Sequence, residues 1–427
     1  MSEIINAFPG YEYKNNRNIY MGEDVGFGGY VYAEPGIYGN VALLDVMSQH
    51  PHSIIAMNCF GEHTKKFKEL LDARIAIKHE DWEAASKMMD GKLIPYIEMV
   101  KRGELKSKSL ANAIKIAVNS CYGMTSAKYS NPFKDPRNVN NIVALRGALF
   151  MVNVKHEVQK RGFKVAHIKT DSIKIPDATP EIIQFVMDYG KMYGYTFEHE
   201  DTYERMCLVN DAVYIAKGQD GHWSATGAQF QVPYVFKALF SKEPIIFDDY
   251  CETKAVSSGA IYLDMNEGYP DVSEIEKERE KFLKQFKDDK MDMVDEATLT
   301  DMDTRIAEGH NYIFVGRVGQ FTPMQDGCGG GILYRLKDGK YYSVTGTKGY
   351  KWMESEMVKV LGKEDCIDIS YYEKLVDEAL ETIRKYSALE DERHGVKDWF
   401  LSDIPYKKCE YKNGVPDRYY LEIEEDK

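Results

Sequence analysis

Residues 115–123 read Lys115-Ile116-Ala117-Val118-Asn119-Ser120-Cys121-Tyr122-Gly123. Wound as a helix, they set Lys115, Asn119 and Tyr122 on one stripe, which Lys108 and Asn112 extend toward the N-terminus. Leu110, Ala113, Ile114, Ala117, Val118 and Cys121 fall on the opposite side, the apolar face that a buried helix needs. Gly123 is expected to end the element. A cation, an amide and an aromatic ring aimed the same way suit a nucleoside triphosphate, with charge for phosphate and a flat surface for base or sugar. A solvated helix face also collects Lys and Asn, so this stripe gains meaning only from what accompanies it.

The chain has 427 residues, 44% hydrophobic and 12% aromatic with 30 Tyr, which indicates folded cores and more than one domain. No apolar run approaches the roughly 20 residues of a membrane span, and the N-terminus lacks a secretory pattern. The seven Cys are scattered without a Cys-x-x-Cys pair, and the ten His are dispersed. That usage predicts reduced thiols, a cytoplasmic setting and no structural zinc. The net charge of −13 argues at first against nucleic acid. The charge is uneven, however: acid crowds Asp271 to Asp303 and Glu422 to Asp426, whereas Lys65 to Lys115 is richer in Lys and Arg. A basic channel can sit inside an acidic shell.

The opening through Gly39 is rich in Gly, Tyr and Asn and reads as loops and short strands. Val41 to Leu44 is an apolar strand ending at Asp45. Helical periodicity covers Lys65 to Glu80 and Lys108 to Tyr122, with a Pro-interrupted helix from Trp82 to Lys101 between them. Asn141 to Lys160 reads as a long helix. A hairpin follows, Lys164 to Ile168 and Ile173 to Ile175, with Lys169-Thr170-Asp171-Ser172 at its tip. A helix from Pro180 to Tyr193 and a strand from Ala212 to Ala216 complete an α+β region. Beyond Phe236 come a charged helix (Ser273 to Lys290), the glycine cluster Gly327 to Gly331, a hairpin of Ile332 to Leu336 and Tyr341 to Val344 turned by Asp338-Gly339, and a helix from Ser370 to Tyr386.

Asp45 at a strand end and Asp171 at a hairpin tip converge if their strands are neighbours. Hard oxygen ligands of this kind suit Mg²⁺, which also binds substrate phosphates, and the Val46 carbonyl is a further candidate ligand. Two such ions about 4 Å apart activate an attacking oxygen and stabilise a leaving one. A lone Asp at a strand end is more often a cap or turn former. Ser48 and Ser53 read equally well as caps of the helix after Asp45, Ser172 as a turn former, and Cys121 as core. The glycine cluster fits either a backbone approach to phosphate or tight packing.

Three ordered motifs shift that balance. Asp45-Val46-Met47-Ser48-Gln49-His50-Pro51 resembles the Asp-x-x-Ser-Leu-Tyr-Pro motif of family B DNA polymerases, with Ser53-Ile54-Ile55 displaced by one residue from its Ser-Ile-Ile ending. Lys115 to Gly123 resembles their Lys-x-x-x-Asn-Ser-x-Tyr-Gly motif, and His167 to Ser172 their Tyr-x-Asp-Thr-Asp-Ser hairpin. Phe27-Gly28-Gly29 is similar to their Tyr-x-Gly-Gly element. The resemblance, strongest over residues 20–240 and of bacteriophage type, implies a right-hand polymerase with an antiparallel-sheet palm, helical fingers and a mixed thumb. Palm would be 1–60 and 124–235, fingers 61–123, and thumb with C-terminal region 236–427.

By that resemblance Asp45, Val46 and Asp171 hold two Mg²⁺ ions, with Mn²⁺ as the alternative. Lys115, Arg74 and Lys78 meet the triphosphate; Ser48, His50, Asn119 and Tyr122 shape the nucleotide pocket; Gly28, Gly29, Lys169, Tyr214, Lys348 and Lys351 meet DNA. Lys169 stands where the family has its first hairpin Asp, and His50 where it has a Tyr beneath the sugar. Of the family's Lys-Lys-Arg-Tyr element only Tyr214 persists, in Asp211-Ala212-Val213-Tyr214. The implied activity is DNA-directed DNA synthesis from dNTPs on a primer-template, in the cytoplasm of a phage-infected bacterium and away from membranes. With about 40 residues before Asp45, no intrinsic 3′–5′ exonuclease is expected, and a separate exonuclease-bearing subunit is a candidate partner. A catalytically inactive, polymerase-derived DNA-binding or scaffold subunit and a ribonucleotide-using enzyme stand as alternatives.

Overall fold

The computed structural model describes residues 2–265, 272–286, 291–394, 410–412 and 415–418. Two compact units divide the chain, one built on Met1–Gly227 and the other on Ala228–Thr382. Both mix helices with antiparallel sheets, so the chain is α+β. No helix among the described residues is long and apolar enough to cross a membrane.

In the first unit a small sheet joins β1 (Glu12–Lys14), β2 (Arg17–Tyr20) and β3 (Glu23–Asp24). The main sheet holds β4 (Val31–Ala33), β5 (Gly36–Val46), β6 (His167–Lys169), β7 (Ser172–Ile175), β8 (Phe197–Asn210), β9 (Val213–Gly218) and β10 (Trp223–Thr226) in the order β10-β9-β8-β5-β7-β6-β4. Its helices are α1 (Ser2–Ala7), α2 (Gln49–Ala56), α3 (Thr64–Lys78), α4 (Trp82–Lys87), α5 (Ile94–Lys101), α6 (Ser107–Thr125), α7 (Ile142–Lys160) and α8 (Pro180–Met192).

Alternation along β5 sorts the sheet's two faces. Ala42, Leu44 and Val46 point into the main core, where Leu149, Phe150 and Val154 of α7 and Ile182 and Val186 of α8 pack on them. Leu43 and Asp45 point the other way. That second face carries a smaller cluster containing Val41, Tyr203, Met206 and Tyr214. The helix-covered face supplies the hydrophobic driving force, so the opposite face is free to hold polar groups at modest cost.

The second unit contains the sheets β11-β14-β17 and β13-β12-β15-β16, formed by β11 (Glu252–Ala255), β12 (Ala260–Asp264), β13 (Tyr312–Gly316), β14 (Val318–Met324), β15 (Ile332–Lys337), β16 (Lys340–Ser343) and β17 (Lys351–Glu354). Its helices are α9 (Ala228–Gln231), α10 (Pro233–Phe236), α11 (Ser273–Gln285), α12 (Met293–Glu308), α13 (Ser355–Val360) and, as far as Thr382, α14 (Ile369–His394), whose remainder belongs to the first unit. Buried Trp352, Tyr372 and Phe321 anchor its core.

Several expectations are corrected. The helix bearing Lys115 runs past Gly123 to Thr125. The Thr125 hydroxyl bonds the Tyr122 carbonyl and accepts from buried Asn138, so tertiary contacts hold a last turn that the glycine alone would have ended. Its buried stripe is Leu110, Ala111, Ile114 and Val118, while Ala113 and Ala117 are exposed. The Pro-interrupted helix is two helices, α4 and α5, with Pro95 in the first turn of α5, where its missing N–H costs nothing. The charged helix ends at Gln285, residues 287–290 lie outside the described residues, and α12 was not foreseen. The acidic tail Glu422 to Asp426 also lies outside them.

Candidate functional site

Asp45 lies opposite Ser172 on the β5–β7 ladder, one residue along the chain from Asp171. The β6–β7 turn consists of Thr170 and Asp171 between the paired residues Lys169 and Ser172. Thr170 adopts a positive φ of 59°, which a threonine holds only where neighbours over-determine it. Those neighbours are present. The Thr170 N–H donates to the Tyr30 carbonyl at 2.9 Å, the Val46 N–H to the Asp171 carbonyl at 2.8 Å, and the buried Gln49 amide to the Thr170 carbonyl at 3.0 Å. Gly29, at φ 146°, lies against the Thr170 side chain, where an added Cβ would stand 3.0 Å away. Gly147 of α7 leaves the space that Gln49 fills, since a Cβ there would stand 2.4 Å from Gln49 Oε1.

The two aspartates open into a cavity of about 550 Å³. One wall is the sheet and its flanks: Asp45, Val46, Ser48, Gln49, His50 and Asp171. The facing wall is helical: Arg74 and Lys78 from α3, and Lys108, Asn112, Lys115 and Asn119 from α6. Sequence reasoning named most of these residues. It missed Glu198 and Glu200, which also line the cavity. Glu198 pairs with Asp45 across the β5–β8 ladder, and a bulge at Leu43/Leu44 lets Glu200 face the same way. Alternating acids on a strand were the available signal, one that a solvated strand also gives.

Burial first, then the charges of Asp171, Glu200 and Glu198, push the Asp45 carboxyl up to about 7, with Lys174 acting the other way. Burial likewise raises Asp171, against the pull of Lys115. Carboxylates crowded in a partly dry site resist ionisation until positive charge arrives. The donor set is all hard oxygen, which fits Mg²⁺ rather than zinc. Among the described residues no three His, Cys, Asp or Glu side chains stand in ready ligating geometry. Asp45, Val46 and Asp171 line the cavity side by side, and an Mg²⁺ ion at such oxygens commonly completes its shell with water or phosphate.

The cations are partly engaged. Arg74 Nη1 donates to Ser48 Oγ at 2.7 Å, while its Nε is buried without a partner. Lys78 donates to Glu198 at 2.6 Å. The Ser48 hydroxyl caps no backbone N–H, and Ser53 lies within α2, bonded at 2.6 Å to the Tyr195 hydroxyl, so neither is the side-chain cap expected. His50, kept neutral by burial, stands 4.4 Å from the Tyr122 ring. Tyr122 in turn donates to Asn141 at 2.9 Å.

The DNA-contact candidates are divided between the two units. Lys169 is exposed beside the turn, Gly29 supports the turn from behind, and Tyr214 packs among Tyr203, His167 and Lys174. Lys348 and Lys351 belong to the second unit and are exposed there. In the glycine cluster, a Cβ at Gly330 would meet the Trp352 carbonyl at 2.9 Å and one at Gly331 the Asp264 carbonyl at 2.2 Å, so close packing explains both.

No family model matches the chain, and no curated protein matches it. Among solved structures it is similar to the family B DNA polymerase from the hyperthermophilic archaeon Pyrobaculum calidifontis, with 14% sequence identity and a TM-score of 0.39. That match covers 82% of this chain and 46% of that one, so the chain spans less than half the length of its structural neighbour.

Proposed function

We propose that the chain is a template-directed DNA polymerase of the family B type, adding deoxynucleotides to a primer 3′ end. One observation carries the reading. Carboxylates from a sheet (Asp45, Asp171) and cations from two helices (Arg74, Lys78, Lys108, Lys115) face each other across a single cavity. A nucleoside triphosphate with divalent ions needs that division, with oxygen ligands for the metal on one side and positive charge for phosphate on the other.

In this reading Lys115, Lys78 and Arg74 bind the β- and γ-phosphates and neutralise the charge that builds on the leaving pyrophosphate. Asn119, His50 and Tyr122 orient sugar and base, with His50 neutral and therefore offering a flat uncharged ring. Asp45 and Asp171 hold two Mg²⁺ ions together with the Val46 carbonyl. Ions held there would supply Lewis-acid assistance to ionising the primer 3′-hydroxyl and to stabilising the departing oxygen. The turn at Thr170–Asp171 fixes one carboxylate relative to the other, an entropic saving at the moment of reaction. Residues 1–60 and 124–235 would form the palm, 61–123 the fingers, and 236–427 the thumb and C-terminal region.

Primer extension with Mg²⁺ and dNTPs, comparing the chain with Asp171→Ala, tests the proposal. Extension that disappears in the variant supports it. Extension that survives removes Asp171 from the metal site. Absence of extension by the unaltered chain, despite primer-template binding, favours the inactive DNA-binding subunit.

A further inference from the structure

Lys174 is 3% exposed, although it lies on the polar face of the main sheet. It pairs with Leu43 on β5 and with His167 on β6, so its side chain emerges on the face that carries Asp45, two positions along from Leu43. An apolar residue would fill such a place more cheaply, because a sealed ammonium forfeits its hydration. The surroundings explain its retention. Lys174 Nζ donates to His167 Nδ1 at 3.2 Å and sits 4.7 Å from the centre of the Tyr214 ring. With Nδ1 accepting, His167 carries its proton on Nε2 and donates it to the Asp211 carbonyl at 3.1 Å. Thus β6, β7 and β9 together hold the ammonium. One of its three hydrogens goes to His167. Through space it is attracted by Asp45 and Glu200 and repelled by Lys169.

We propose that Lys174 is a positioning residue for the carboxylate site: an internal cation, held on the sheet face that carries Asp45, that occupies part of the negative field divalent ions otherwise fill. The inference rests on the two-metal reading above. Exposed Lys169 is free to swing away or meet a ligand, but Lys174 is clamped between two strands and an aromatic ring. Burial pushes its ammonium down to about 8, so it brings positive charge to the site at neutral pH and below. It partly offsets the mutual repulsion of the crowded carboxylates before metal binds, and it sets how strongly the site draws metal in.

Mn²⁺ binding to the full chain, followed by electron paramagnetic resonance without DNA or nucleotide, tests this together with primer extension. Lys174→Gln removes the charge and keeps a donor for His167 Nδ1, and Lys174→Arg keeps the charge. Removing a fixed positive charge from beside the carboxylates is expected to tighten Mn²⁺ binding about fivefold. Turnover at saturating Mn²⁺ is expected to fall about tenfold as the carboxylates lose the charge beside them. Lys174→Arg should restore both toward the unaltered values. A merely structural lysine predicts no tightening. Unchanged or weaker Mn²⁺ binding in folded Lys174→Gln overturns the proposal while leaving the two-metal reading in place. Should Lys174→Gln fail to fold, Lys174→Met serves the same comparison, and a Lys174→Arg variant with tighter Mn²⁺ binding also overturns it. Mn²⁺ binding by the unaltered chain that is indifferent to Asp45→Asn instead removes the two-metal reading itself.

Discussion

Lys78 of α3 donates to the Glu198 carboxylate of β8 across 2.6 Å, and His79 lies 3.3 Å from the other carboxylate oxygen. A nucleotide whose phosphates are gripped by Lys78 has to draw it away from Glu198. The two side chains are 42% and 22% exposed, so the pair adds little stability, about 1 kcal/mol at most. Lys78→Ala is expected to leave the denaturant midpoint nearly unmoved and to raise the KM for dNTP about tenfold. Glu198→Gln, which frees Lys78, should leave that KM equal or lower. A higher KM would make Glu198 part of the nucleotide site in its own right. Chemical denaturation beside steady-state primer extension separates these outcomes.

Asp45 supplies a pH dependence with a definite sign. Its carboxyl is pushed up to about 7 in the fold from an ordinary 3.8, burial being the larger cause. Between those pH values the folded chain retains a proton that the unfolded chain has released, so this group's contribution to stability declines as pH rises and is fully lost above about 7. On the proposed metal reading, Mg²⁺ would replace the proton and offset the loss. In chelator, the Tm is expected to fall between about pH 5.5 and 8, and Mg²⁺ should raise it more at the upper value. Asp45→Asn should abolish the difference. Equal Mg²⁺ shifts at both pH values would detach the ion from Asp45. Differential scanning fluorimetry suffices, and no DNA is required.

Asp45, Asp171 and the Lys115 stripe were legible because each announces itself within a few residues: a strand end, a two-residue turn between β-prone segments, a helical repeat. Glu198, Glu200 and Lys174 were not, for a shared reason. An acid or lysine at alternate positions of a strand reads as a solvated face, and only the pairing of β8 and β7 with β5 places these three beside Asp45. That pairing joins residues more than a hundred positions apart in the chain, beyond the reach of local periodicity. The helix α12 was missed for a different reason: none of its residues is buried, so it lacks the apolar stripe by which helices are recognised. Gly123 misled because propensity is a weak prior against tertiary bonds such as Asn138 to Thr125.

Gly147 and Gln49 should behave as one unit. A Cβ on Gly147 would stand 2.4 Å from Gln49 Oε1 and 2.5 Å from its Cδ, and Gln49 is 2% exposed with its amide on the Thr170 carbonyl. Gly147→Ala is therefore expected to displace Gln49, at a cost of about 1–3 kcal/mol, and to loosen the Thr170–Asp171 turn. In a Gln49→Ala background the same substitution has room and should cost far less, giving a non-additive double-mutant cycle. Additive costs in urea denaturation would show that the turn does not depend on this contact.

His50 bears on sugar choice. Its ring borders the cavity and sits 4.4 Å from the Tyr122 ring at a tilt of 45°, and Tyr122 is itself held by the Asn141 side chain, so His50 is backed by a fixed ring. Burial lowers the His50 pKa, so the ring is neutral at physiological pH and acts through shape rather than charge. His50→Phe keeps a flat ring and should hold dNTP incorporation within about threefold, whereas His50→Ala opens space and should raise ribonucleotide incorporation relative to deoxynucleotide by about tenfold. The check is single-turnover incorporation of dNTP and NTP on one primer-template. If His50→Ala leaves the ratio unchanged, the ring does not border the sugar, and the nucleotide lies deeper against Asn119 and Lys115.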